Sequence, residues 1–320
     1  MNKLTMETTE LESSTDAKRI IGSIEGRDEG PCVILLAGIH GNEGAGVEAV
    51  EQVLKRLNSM ERSFNGRLVA IRGNLQALDR DRRFIDEDMN RLWFSAIIDK
   101  IRAAPEHEIA SSERVELKRL LPVIDEIREE TDRPFIFVDV HTFSAEGALF
   151  TLPSHNPKIP ELLSRIYAPM VLGIGDSLRG TSLKYFGNQG MLSFALEGGQ
   201  HHNSTTEDNI IASIMLLLEA LCCISEKSVH NMEEYRSYLK SYTQRLPVKT
   251  ELVYQHIIEE GDRFEMQPGY KNFQPVKEGE WIATDQDGKI LAQCDGYILM
   301  PLYQDQGDDG FFIIREITED

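Results

Sequence analysis

The chain predicts an α/β fold, a sheet covered by helices on both faces and followed by a small all-β domain. Three observations carry that expectation. Up to about residue 245, apolar runs of strand character alternate with stretches of helical periodicity. The run Cys32-Val33-Ile34-Leu35-Leu36-Ala37 is apolar without a break, as a buried central strand must be. Beyond residue 245 the pattern changes to short β-type runs parted by turn signals such as Gln267-Pro268-Gly269, Asp287-Gly288 and Asp295-Gly296.

The elements follow in order. Residues 1–17 are polar and expected to be loose. Strands are expected at residues 19–24, 32–37, 67–71, 135–140, 148–152, 169–172 and 191–196. Between them Val47, Val50, Leu54 and Leu57 recur at helical spacing, as do Leu117, Leu120, Leu121, Ile124 and Ile127. Pro122 falls inside the second pattern and predicts a kink or a new helix there. Residues 210–224 are apolar nearly all round and read as a buried helix, and 231–246 read as a helical connection. Further strands are expected at 252–258, 281–283, 290–293, 297–299 and 311–316. The chain thus divides into a loose N-terminus (1–17), an α/β unit (18–245) and a small β domain (246–320).

Bulk properties narrow the function. At 320 residues the chain can bury a sizeable core, and 41% hydrophobic with 27% charged residues fits a soluble globular protein. A formal charge of −19 argues against nucleic acid or an anionic membrane as partner, since either needs a basic face. It says little about small ligands, because one local arginine can hold an anion. None of the four cysteines (Cys32, Cys222, Cys223, Cys294) has zinc-finger spacing, and all four are expected to be reduced and in or near the core. No apolar leader is apparent before Asp28, and the run 210–224 is too short to cross a bilayer. The expected location is the cytoplasm.

Chemistry enters where the first apolar run stops. Gly38-Ile39-His40-Gly41-Asn42-Glu43 follows it directly, with glycines that let the backbone turn and a histidine three residues before an acid. A second strand ends on His141. His40, Glu43 and His141 together would hold one metal ion and leave a fourth position for water, the pattern of a catalytic zinc site. Singly, each has a plainer reading: a turn histidine, an acid favoured at a helix start, a strand cap. Brought together at the ends of two buried strands, the metal reading is favoured. The stretch 79–91 mixes four arginines with five acids, which alone favours a solvated loop of weak ion pairs over a guanidinium aimed at an anion. Ser193-Phe194-Ala195-Leu196-Glu197 ends in an acid that is either a general base beside metal-activated water or an ordinary strand-end carboxylate. His201 and His202 are expected to be solvated rather than further ligands.

As a set, His40-Gly41-Asn42-Glu43, Asp88-Met89-Asn90-Arg91, Val138-Asp139-Val140-His141-Thr142 and Leu196-Glu197-Gly198-Gly199 stand in the order found in the succinylglutamate desuccinylase/aspartoacylase family. The chain resembles that family, itself related to the zinc carboxypeptidases, over roughly residues 30–200. The resemblance implies a zinc carboxypeptidase-like mixed sheet flanked by helices, a zinc-hydrolase unit at 18–245, and a C-terminal β region like the family's second domain. It implies one Zn2+ per chain on His40, Glu43 and His141, with Glu197 as general acid/base and Arg83 assisting at the carbonyl oxygen. Asn90 and Arg91 would clamp a substrate carboxylate, and Asp88 would orient the first histidine.

The implied activity is that of a zinc-dependent amidohydrolase on carbon–nitrogen bonds other than peptide bonds. It would cleave the amide of an N-acyl amino acid with metal-bound water as nucleophile. The chain also departs from the family. Aspartoacylases carry an arginine ten residues before the catalytic glutamate, and here that position is Gly187, with Lys184 and Arg179 the nearest bases upstream. The acyl group, the amino acid, the choice of zinc over another divalent ion and the oligomeric state, a homo-oligomer included, are therefore left open. The rivals are a metallocarboxypeptidase acting on short peptides and a catalytically silent zinc-binding protein. Lys289, in Asp287-Gly288-Lys289, reads as an ordinary turn lysine rather than a lipoyl or biotin attachment point.

Overall fold

A computed structural model of the chain describes residues 18–58, 63–226, 229 and 231–318; the expected loose N-terminus, residues 1–17, lies outside them. The α/β part comprises β1 (Ile20–Glu25), β2 (Arg27–Ala37), α1 (Gly44–Leu57), β3 (Asn65–Arg72), α2 (Leu75–Leu78), α3 (Ser95–Ala103) and α4 (Ser112–Glu129). It continues through β4 (Phe135–Phe143), β5 (Phe150–Pro153), α5 (Ile159–Leu163), β6 (Met170–Leu172), α6 (Ile174–Ser177), α7 (Ser182–Asn188), β7 (Leu192–Gln200), α8 (Ser204–Ala220) and α9 (Met232–Thr243). The rest is β structure: β8 (Lys249–Ile257), β9 (Glu265–Met266), β10 (Gln274–Val276), β11 (Trp281–Asp285), β12 (Gly288–Leu291), β13 (Gly296–Leu299) and β14 (Asp309–Glu316).

The strands form one 11-stranded mixed sheet, in the order β1-β3-β2-β4-β7-β5-β6-β8-β14-β13-β10, and a small sheet of β12-β11-β9. β3, β2, β4 and β7 run parallel, while β1 and β5 pair antiparallel to β3 and β7. Pairing of β8 with β6 carries the large sheet into the C-terminal antiparallel strands.

β2 shows why its sequence has no polar alternation. Val33, Leu35 and Ala37 pack with α1 and α8 on one face, and Cys32, Ile34 and Leu36 pack with α3 and α4 on the other. Successive residues point to opposite faces, so both sets must be apolar, each buried aliphatic side chain contributing roughly 1.5–3 kcal/mol. The parallel strands bring their carboxyl ends to one edge: Ala37 lies in register with Val140, and His141 with Glu197. This is where open α/β sheets place their ligands.

Local expectations need four corrections. α4 continues through Pro122 as an 18-residue helix, because Pro122 lies on its exposed side, where water can satisfy the carbonyl one turn back. α8 ends at Ala220 rather than at residue 224. Cys222 then takes a left-handed φ of +58° and is exposed, so it is no core residue, whereas Cys32 and Cys223 are buried. Lys289 lies within β12, its Nζ 4.1 Å above the Trp281 ring.

Candidate metal centre and the cleft above it

The turn after β2 is made possible by two glycines. Gly38 adopts φ +69°, a region side chains disfavour. At Gly41 a Cβ would stand 2.0 Å from the Ala77 carbonyl carbon, so only glycine lets this turn lie against the segment 77–83. The Gly41 N–H then donates to the Arg83 carbonyl at 3.2 Å. Two loops distant in sequence are thereby fixed side by side.

Glu43 occupies the N-cap position of α1 but makes no side-chain capping bond. Its carboxylate faces the histidines instead: Oε1 lies 2.7 Å from His40 Nδ1 and Oε2 3.0 Å from His141 Nδ1. Ligand atoms of His40, Glu43 and His141 lie within 4.8 Å of one another, and all three residues are buried. The far nitrogens are backed by acids, His40 Nε2 by Asp88 at 3.0 Å and His141 Nε2 by Asp139 at 3.1 Å. A carboxylate on Nε2 holds a proton there, so that Nδ1, on giving up its own proton, is the nitrogen that would ligate, which is how proteins prepare imidazoles to bind metal. Two nitrogens and one carboxylate oxygen form a donor set that suits a divalent transition metal.

Without an ion, the same groups neutralise one another. Burial alone would raise the Glu43 carboxyl, but the two imidazoles overrule it and hold it well below the ordinary carboxylate range. Burial opposes a charge on His141, yet Asp139 and Glu43 raise it well above an ordinary imidazole. Asp88 is likewise held low against its burial by His40 and Arg83.

Asp139 was not singled out by sequence. It stands two residues before His141 on β4 and hence on the same side of the strand, a signal the sequence did contain. Its Oδ2 also accepts from Ser182 Oγ at the start of α7.

The stretch 79–91 divides in two. Asp86 accepts the Ser112 N–H, Glu87 pairs with Arg114 at 2.7 Å, and Arg80 and Arg82 are exposed, as a solvated loop would have them. Arg83, Asp88, Asn90 and Arg91 instead turn inward. Arg83 Nη2 donates to Asp88 Oδ2 at 2.9 Å, its Nη1 lies 4.0 Å from Glu43, and its buried Nε has no protein partner. The Asn90 carbonyl accepts the Ser182 N–H at 2.9 Å, which fixes the amide orientation and turns its NH2 toward His141. Arg91 Nη2 pairs with Asp309 at 2.6 Å, a partner from the C-terminal strands.

Glu113, a second residue missed in the sequence, organises this loop. Fully buried on α4, its carboxylate accepts the backbone N–H groups of Ile85 (2.7 Å), Asp86 (3.0 Å) and Glu87 (3.2 Å). It thereby anchors the segment that delivers both Arg83 and Asp88.

These side chains border a cleft of about 840 Å3, counted to its open mouth. Glu197 lines it, and burial raises its carboxyl to about 7. Of the eight residues singled out in the sequence, seven line the cleft, and Asp88 stands behind His40. His201 is buried rather than solvated: Nδ1 lies 2.6 Å from Thr142 Oγ1 and Nε2 3.2 Å from Gln304. His202 is exposed, and among the described residues neither joins the metal-ligand group.

The model of the succinylglutamate desuccinylase/aspartoacylase catalytic domain matches residues 29–222, more than half of the chain. A succinylglutamate desuccinylase of Pseudomonas paraeruginosa is 34% identical over 144 residues, covering 44% of this chain but only 40% of that protein. One from Ectopseudomonas mendocina is 26% identical over 282 residues, 83% of this chain and 79% of that protein. In fold, the chain is similar to a crystal structure of succinylglutamate desuccinylase/aspartoacylase from Rhodobacter sphaeroides. The TM-score is 0.65 at 16% identity, covering 93% of this chain and 88% of the other. Among the described residues no helix is long and apolar enough to cross a membrane.

Proposed function

Since the chain belongs to the succinylglutamate desuccinylase/aspartoacylase family, we propose that it is a zinc-dependent hydrolase of the amide bond in an N-acyl amino acid. The observation that carries this reading is the pair of acid-backed imidazoles facing Glu43, beside a buried carboxyl raised to about 7. His40, Glu43 and His141 would hold one zinc ion per chain. When bound, such an ion supplies Lewis acidity and lowers the pKa of water from 15.7 toward about 7.

The remaining work falls to the chain. Glu197 takes a proton from the attacking water as the new carbon–oxygen bond forms. It returns that proton to the amine nitrogen as the carbon–nitrogen bond breaks, so the products are a carboxylic acid and a free amino acid. A carboxyl whose pKa lies near the working pH suits both transfers. Arg83, whose guanidinium borders the cleft, donates to the carbonyl oxygen as negative charge builds there. Asn90 and Arg91 hold the amino acid's carboxylate, Arg91 through its forked donors. Asp88 and Asp139 keep the histidines oriented.

In this reading residues 18–245 carry the chemistry, while 246–320 supply Asp309, Gln304 and one side of the cleft. Four free cysteines support a reducing, cytoplasmic setting. The test is a panel of N-acyl amino acids and short peptides presented to zinc-loaded protein, with release of free amine as the readout. Turnover of N-acyl amino acids supports the reading. Turnover of peptides alone would make the protein a carboxypeptidase, and bound zinc without any turnover would make it catalytically silent.

A further inference from the structure

The lining of the cleft divides by chemistry. Around the histidines it is polar, while an adjoining apolar wall is formed by Leu152, Leu178, Leu183, Ala195 and Phe312, together with Phe143. These side chains are the cleft-lining part of an apolar cluster that also holds Phe150, Val171, Ile174 and Ile314. Apart from the imidazoles, the cations lining the cleft among the described residues are Arg83 and Arg91. Each already faces an acid, Asp88 at 2.9 Å and Asp309 at 2.6 Å. Asp308, exposed at the rim, adds another negative charge.

Among the described residues, no cation stands on the apolar wall to receive a second carboxylate. Gly187 lies outside the cleft, where a Cβ would stand 2.9 Å from Ser193 Oγ. Lys184 is also outside it, with Nζ donating to the Asp176 carbonyl at 3.1 Å, and Arg179 is exposed and does not border it. An anion pressed against aliphatic side chains loses its hydration and gains no partner, whereas an apolar group gains from leaving water.

We infer that the substrate carries one carboxylate only, together with an apolar group that packs on the wall formed by Leu152, Leu178, Leu183, Ala195 and Phe312. Dicarboxylic N-acyl amino acids are poor substrates. This rests on the amide-hydrolase reading above and narrows it. The apolar group belongs either to the amino acid's side chain or to the acyl chain, and a panel varying them separately tells which.

The experiment measures kcat/KM of zinc-loaded protein for N-acetyl-leucine, N-acetyl-phenylalanine, N-hexanoyl-glycine, N-acetyl-aspartate and N-succinyl-glutamate. The expected result is a preference of about 10²-fold or more for at least one apolar compound over both acidic ones. Leu178→Arg, at a half-buried position, should narrow that preference at least tenfold. Binding to Glu197→Gln protein, read by calorimetry, gives the same comparison without turnover.

Tighter binding of apolar compounds with no hydrolysis by the wild type would overturn the hydrolase reading and leave the selectivity standing. Efficient cleavage or tighter binding of N-succinyl-glutamate would overturn the selectivity and leave the hydrolase. Failure to bind or cleave any of them would overturn both.

Discussion

The polar and apolar sides of the cleft are built on opposite rules. On the polar side, side chains are held by specific partners: His40 by Asp88, His141 by Asp139, Arg83 by Asp88 and Arg91 by Asp309. On the apolar side, Leu183, Ala195 and Phe312 are held by packing alone and belong to a cluster that also stabilises the fold. The polar side is thus ordered by charge pairing, and the apolar side by packing that also serves the fold. Substitutions at the first should remove activity and spare the fold; substitutions at the second should weaken the fold and alter selectivity.

The largest expected effect is at Glu197. Glu197→Gln should lower kcat by about 10³–10⁴-fold while one equivalent of zinc is retained, read by amine release and metal analysis. Full activity in this variant would remove Glu197 as the proton carrier. Arg83→Ala should cost about 10²–10³-fold in kcat if its guanidinium stabilises the carbonyl oxygen. Asp139→Asn should weaken zinc binding by roughly 10–100-fold, measured by competition with a chelating dye, because His141 loses the acid that fixes its proton. An unchanged zinc affinity would reduce Asp139 to a packing residue.

On the apolar side, Leu183→Ala should cost about 2–4 kcal/mol in denaturant unfolding, since the side chain is buried and leaves a cavity. A loss below 1 kcal/mol would show that the wall can collapse and is not a preformed surface.

A subtler contrast is in pH. Burial raises Glu197 from 4.5 to about 7, so the folded chain favours its protonated form. The resulting stabilisation is complete below about pH 4.5 and lost as pH rises through 7. Above pH 7, chelator-treated Glu197→Gln protein should therefore be more stable than wild type, by up to about 3 kcal/mol, a difference that disappears in acid. Parallel unfolding curves at pH 5 and pH 8 check this, and equal stability at both would place Glu197 in solvent.

β2, β4 and β7 were legible because fully buried parallel strands cannot avoid continuous apolar runs, and α1 and α4 because their apolar residues recur at helical spacing. β9 and β10 escaped notice, being two and three residues long and held by neighbours rather than by pattern. In the candidate site, the residues next to glycine turns at strand ends were readable. Asp139 was readable in principle, since alternation puts it beside His141. Glu113, Ser182 and Asp309 were not, because each arrives from an element distant in sequence and only the packed sheet brings it near. The stretch 79–91 shows the limit most clearly: composition fits a solvated loop for Asp86 and Glu87 and misleads for Arg83 and Asp88, and only the anchoring by Glu113 separates the two halves.

The central claim is that His40, Glu43 and His141 grip one divalent ion. Anomalous diffraction at the zinc edge, on crystals of zinc-loaded protein, tests it most directly. The expected result is a single strong peak about 2.0–2.2 Å from His40 Nδ1, His141 Nδ1 and a Glu43 oxygen. No peak there at saturating zinc, or a peak elsewhere on the chain, would contradict it.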